Sequence, residues 1–123
     1  MPKDFSRSAR VSEVIQREVA NVIQTEMNDP RASAVTITYT KMTRDMSSAL
    51  VYFTMQSDDR KEIRETENAL NKAAGFIRHL LTERVELRYI PKLQFTFDES
   101  IERGRRVSKL IDDVIQREDG SAE

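Results

Sequence analysis

At 123 residues, with 38% hydrophobic and 33% charged side chains and no cysteine, the chain has the size and balance of one domain with a self-sufficient core, and it excludes a disulfide framework, thiolate metal sites and cysteine nucleophiles. No apolar run approaches the roughly 20 residues needed to cross a bilayer, and Met1 to Ala20 holds no signal-like apolar stretch, so a cytoplasmic location is expected. The net charge of −1 is unevenly spread, with eight Lys/Arg against five Asp/Glu in residues 60–92 and five against eight in residues 93–123; a polyanion can be held only by a local basic face.

Val11, Val14, Ile15, Val19, Val22, Ile23 and Met27 recur at steps of three and four, which predicts an amphipathic helix from about Ser8 to Met27, with Ser8 a candidate cap and Asn28, Asp29 and Pro30 its stop. The period then becomes two. Val35, Ile37 and Tyr39 alternate with Thr36, Thr38 and Thr40, and after the polar Thr43-Arg44-Asp45 break Ala49, Val51, Phe53 and Met55 alternate again, which predicts an antiparallel hairpin. Ser57, Asp58 and Asp59 are cap candidates for a helix beginning near Arg60.

Ile63, Leu70, Ala74, Ile77 and Leu81 keep helical spacing through Gly75. An interior glycine costs about 1 kcal/mol relative to alanine, so two helices are expected to meet near Ala73-Ala74-Gly75. After a lead-in over Val85 to Ile90, Pro91 introduces a third strand from about Lys92 to Asp98, in which Leu93, Phe95 and Phe97 alternate with polar residues. Ile101, Val107, Leu110, Ile111, Val114 and Ile115 describe a last amphipathic helix that ends before a polar tail. One unit over residues 5–117 with a tail at 118–123 is therefore expected. Its class is α+β, of order αββααβ plus a C-terminal helix, with a three-stranded sheet covered by helices on one face. That order without the last helix is that of a type II KH domain.

Convergent catalytic groups are scarce. His79 is the only histidine and lacks a cysteine or histidine partner for a zinc site. Asp58-Asp59 and Asp112-Asp113 are sequence neighbours whose side chains diverge by about 100° on a helix. No GxxxxGK[ST] loop, glycine-rich dinucleotide loop or GxSxG elbow is present. A binding protein without catalysis, metal or cofactor is expected. The basic residues Lys72, Arg78, Arg84, Arg88 and Lys92, beside the small Ala74-Gly75 pair, suit a phosphate backbone, although the same charges also describe a solvated helix face. Tyr39, Phe53, Phe95 and Phe97 are of the type that stacks on bases, but their alternation with polar residues assigns them to the core. The apolar stripe of the last helix either docks onto a protein partner or covers the chain's own sheet, and the aggregation hazard of a large exposed stripe favours the second.

Several separated motifs then fit one pattern: Arg10-Val11-Ser12-Glu13, Asp29-Pro30-Arg31, Val35-Thr36-Ile37-Thr38, Ala73-Ala74-Gly75-Phe76-Ile77-Arg78, Leu87-Arg88-Tyr89-Ile90-Pro91-Lys92-Leu93 and Phe97-Asp98-Glu99-Ser100. In this order and spacing, from about Phe5 to Ile115, the chain resembles the bacterial ribosome-binding factor A family. The resemblance implies a KH-like domain whose usual GxxG loop is replaced by an Ala-x-Gly kink at Ala73, Ala74 and Gly75. It also implies binding of the small (30S) ribosomal subunit and its 16S rRNA, help in late subunit maturation and rRNA processing, and a link to growth in the cold. Ribosome-maturation GTPases are further candidate partners, and the free protein is expected to be a monomer that does not bind membranes. The candidate RNA contacts are Arg7, Arg10, Arg31, Lys72, Arg78, Arg84, Arg88 and Lys92, with Ala73, Ala74 and Gly75 setting close approach.

Overall fold

The structure is a computed structural model that describes residues 3–27 and 29–121. Its elements are α1 (Lys3–Glu26), α2 (Pro30–Ser33), β1 (Val35–Met42), β2 (Ser48–Met55), α3 (Arg60–Lys72), α4 (Ala74–Arg84), β3 (Lys92–Phe97) and α5 (Ser100–Ser121). The strands form one sheet of order β1-β2-β3. β1 and β2 pair as the expected antiparallel hairpin, and β3 pairs parallel to β2, so α3 and α4 supply the crossover.

One face of the sheet carries α1, α3 and α4. Ile15, Val19, Val22 and Ile23 of α1 meet Ala49, Val51 and Phe53 of β2, Phe95 of β3, and Leu70, Ile77 and Leu81 of the crossover helices in one buried cluster. Phe53 and Phe97 touch edge to face, with ring centroids 5.7 Å apart. The apolar faces of α1, α3, α4 and the three strands thus meet at a single core, while α5 stays outside it.

Five details depart from the sequence reading. The first helix starts at Lys3, so Ser8 lies inside it and caps nothing; no glycine or proline lies between Lys3 and Met27 to stop the helix. The chain after α1 also makes the short α2, with Pro30 at its start and the Asp29 carboxylate accepting from the Arg31 N–H at 2.9 Å; Asn28 lies outside the described residues.

Third, the strict alternation of β1 breaks. Its pairing with β2 shifts register between Ile37 and Tyr39, and this bulge exchanges the faces of the residues that follow. Tyr39, expected in the core, is 55% exposed, while Thr40 and Met42 point inward and are buried. The Thr40 hydroxyl has no hydrogen-bond partner among the described residues.

Fourth, the helix junction turns at Ala73, which ends α3 and begins α4 with φ −86° and ψ −3°. Gly75 lies within α4, has no positive φ, and a Cβ added to it would meet nothing within 4 Å. The small side chains at 73 and 74, half-buried against the core, are what let the two helices meet.

Last, α5 does not cover the sheet. It leaves β3 after Asp98-Glu99 and runs to Ser121, through the expected polar tail. Val107, Leu110, Ile111, Val114 and Ile115 are all at least half exposed; the side chain of Ile101 lies outside those described. The helical face of the sheet is already occupied, and the other face is rich in threonine, with Thr36, Thr38, Thr54 and Thr96 set among Tyr39, Leu50 and Tyr52, so it offers α5 little apolar counterpart.

Candidate nucleic-acid interface

The β1–β2 hairpin tip, the start of β3 and the first turns of α4 converge at one end of the sheet. The tip is tied by the Asp45 carboxylate, whose Oδ1 accepts from the Ser47 N–H (3.1 Å), the Ser47 hydroxyl (2.8 Å) and the Thr43 hydroxyl (2.9 Å). These bonds, the Ser47 N–H foremost, hold the Asp45 carboxyl below the usual carboxylate range. Met46 follows with φ 61°, a left-handed conformation that is costly for a side chain of this size. Its side chain packs against the core, which holds the turn in that shape. The Lys92 N–H donates to the Ser47 carbonyl at 2.9 Å, docking the tip on the third strand.

Residues 85–91 between α4 and β3 are irregular but anchored. Ile90 and Pro91 are buried, and the Arg78 Nε donates to the Ile90 carbonyl at 3.0 Å. The anchored segment, the hairpin tip and the N-terminal part of α1 enclose a groove of about 800 Å³. Val11, Met46, Leu87 and Ile90 give it apolar walls, and Arg7, Arg78, Arg88 and Lys92 bring four positive charges against the single carboxylate of Asp45. None of these four cations is ion-paired among the described residues. A shallower concavity adjoins it, where Gly75, His79 and Thr82 share Arg78, Arg88 and Tyr89 with the first.

The structure therefore gathers five of the sequence-predicted residues at one end: Arg7, Gly75, Arg78, Arg88 and Lys92. Arg31 and Lys72 meet elsewhere, on a small concavity with Glu65 and Asn68. Arg84 is engaged, its guanidinium 3.0 Å from the Glu26 carboxylate, and so bridges α4 to α1. Arg10 is exposed on α1 and lines none of these concavities. Ala73 and Ala74 are packing residues of the junction. Sequence reasoning overlooked Tyr89 and the hairpin tip. Tyr89 is 77% exposed; its alternation with Val85 and Leu87 reads as a strand lead-in and hid it, although an aromatic flanked by Arg88 and Pro91-Lys92 is the signal that could have found it.

The order and pairing of β2, α3, α4 and β3, preceded by α1 and β1, define a KH-like domain of type II with a basic groove at the end of its sheet. A sequence model described as ribosome-binding factor A matches residues 7–111. A ribosome-binding factor A of Nitrosococcus oceani is 47% identical over 124 aligned positions, covering 100% of this chain and 97% of that protein. The chain belongs to the ribosome-binding factor A family. Among solved structures, the crystal structure of ribosome-binding factor A from Thermus thermophilus superposes with a TM-score of 0.61 at 27% identity, covering 72% of this chain and 93% of that one. A homology model of the Thermus thermophilus factor, fitted into the cryo-EM map of a complex of that factor with the 30S subunit, gives a TM-score of 0.57 at 26% identity, covering 72% of this chain and 91% of that one.

Proposed function

We propose that this protein binds the small ribosomal subunit through 16S rRNA and assists late maturation of that subunit, including rRNA processing, without making or breaking a covalent bond. It acts as a monomer in the cytoplasm, and its contribution matters most in the cold, where misfolded rRNA escapes slowly. The observation that carries this reading is the groove, where Arg7, Arg78, Arg88 and Lys92 stand around apolar walls without ion-pair partners among the described residues. Membership of the family and the 30S complex of the Thermus thermophilus relative support it. The mechanism is a population shift: a protein that binds an immature rRNA conformation more tightly than the alternatives raises its share in proportion to that difference in affinity.

Co-sedimentation with small subunits over a salt series tests this. Each phosphate neutralised releases counterions, so four contacts give a log–log slope of about −3. Arg88→Ala and Lys92→Ala should each reduce the slope by about 0.8 and leave the melting temperature unchanged, since both side chains are exposed. A salt-independent affinity overturns the assignment. One observation favours a second reading, in which α5 docks onto a protein of the assembling subunit or a maturation GTPase: its Val107, Leu110, Ile111, Val114 and Ile115 side chains are at least half exposed.

A further inference from the structure

We infer that the groove at the hairpin end holds an unpaired nucleotide of an RNA strand, with its base laid on the Tyr89 ring and its neighbouring phosphates on Arg88 and Lys92. This rests on the rRNA reading and names the part of the RNA that the protein selects.

Tyr89 is the most exposed large apolar side chain among the described residues, at 77%. It is also a ring without a ring: Tyr39 pairs with Tyr52 and Phe53 with Phe97, but Tyr89 has no aromatic neighbour among the described residues. An exposed aromatic on a loose loop would carry little meaning, since ordering it costs entropy. Here the backbone is fixed on the following side by the buried Ile90 and Pro91 and by the Arg78 bond to the Ile90 carbonyl. The ring is therefore presented by a segment already held in place, and binding does not have to order it.

The shape and charge of the surroundings identify the occupant. A groove of about 800 Å³ lies within the roughly 300–1,000 Å³ range of sites that enclose a small molecule, so it has room for a base and its sugar and is too small for a helix of RNA. The apolar walls suit the faces of a base, and the cations at its edge suit the phosphates on either side of it. In an A-form duplex the base faces are covered by their neighbours, and a protein meets only grooves and backbone. A ring such as Tyr89 finds a free base face only in a single strand, a bulge or a loop, where stacking tolerates any sequence. A peptide partner is disfavoured by the four cations, none of them ion-paired among the described residues, which would leave a neutral chain unrewarded and require an acidic one.

The probe is a short adenine-rich RNA strand carrying one 2-aminopurine, with a blunt RNA duplex and purified small subunits beside it. The strand should bind with quenched 2-aminopurine fluorescence and more tightly than the duplex. Tyr89→Ala should weaken strand binding about tenfold and abolish the quenching, Tyr89→Phe should preserve both, and neither should alter the melting curve. Tyr89→Ala that binds the strand as wild type does, or a duplex that binds as tightly as the strand, overturns the inference, as does wild-type protein that binds subunits and ignores the strand; in each of these cases subunit binding leaves the rRNA reading standing. Wild-type protein that binds neither strand nor subunits overturns both.

Discussion

At Gly75 the sequence and the structure separate local helix chemistry from binding. A glycine inside a helical pattern reads as a turning point, yet the turn is made by Ala73, and Gly75 has ordinary helical geometry with open space where a Cβ would stand. What the residue offers is a bare backbone on the concavity it shares with Arg78, His79 and Tyr89. Gly75→Ala should therefore stabilise the fold by up to about 1 kcal/mol, through helix propensity and a less flexible unfolded chain, while the added methyl lowers affinity for small subunits. A melting curve and a binding isotherm on the same sample check both signs, and a loss of stability would show a strain at 75 that the backbone does not display. Thr40 shows another limit of reading by pattern. Nothing in its neighbours marks the bulge that turns its hydroxyl inward, because a bulge is decided by how two strands meet and not by either alone.

The elements were the most legible level, since each helix and strand showed its own period and the core gathered the apolar faces of all of them but α5. The Asp59 cap on α3, accepting from the Lys61 N–H at 3.0 Å, follows directly from its sequence position. The devices that join elements were not legible, because they depend on residues far apart in the chain. β3 is an edge strand, and α3 covers that edge: the Asn71 side chain both donates to the Phe95 carbonyl (2.9 Å) and accepts from its N–H (2.8 Å), and Glu67 accepts from the Phe97 N–H (3.0 Å). Three of the edge groups that invite strand addition, the Phe95 N–H and carbonyl and the Phe97 N–H, are thereby satisfied. Across the sheet, the Asp98 carboxylate accepts from the Ser100 hydroxyl and the Thr38 hydroxyl, both at 2.6 Å, and from the Ser100 N–H at 2.9 Å. It links the end of β3 and the start of α5 to β1. The Ser100 hydroxyl above all, then Thr38, keep Asp98 below its ordinary range against the opposing effect of burial. A depressed folded pKa contributes stability that is fully present above the unfolded value of about 3.9 and is lost as pH falls through the folded one. Thr38→Val should accordingly cost about 1 kcal/mol at neutral pH and progressively less below pH ~4. Denaturant titrations of both proteins at neutral and acid pH give the comparison, and a cost that does not shrink in acid would assign the loss to packing alone.

For the molecule as a whole, the near-neutral net charge concealed a polarised surface. The sequence located the positive excess between residues 60 and 92, but which cations share a face was settled by tertiary placement: Arg7 comes from α1, far from that segment, while Arg84 within it is spent on Glu26. The opposite error concerned α5. A large exposed apolar stripe is an aggregation hazard, and that argument placed the helix on the sheet. In the fold, Val107, Leu110, Ile111, Val114 and Ile115 form one continuous exposed face of α5, with Lys109 and Asp112 on the other side of the helix, and the free face of the sheet is largely polar. Whether α5 serves a partner is open to a direct test, because its exposure separates stability from binding. Leu110, 63% exposed, and Ile111, 53% exposed, contribute little to the core, so Leu110→Asp with Ile111→Asp should change stability by no more than about 0.5 kcal/mol. A buried control such as Ile77→Ala should cost roughly 2–5 kcal/mol. The double variant should then keep its affinity for the RNA strand, whose groove lies on other elements. If α5 meets a protein of the subunit, co-sedimentation falls while strand binding holds. If co-sedimentation is unchanged, the groove alone accounts for the association and the second reading is withdrawn. A large loss of stability in the double variant would instead return the helix to the sheet, the arrangement that the sequence alone had favoured.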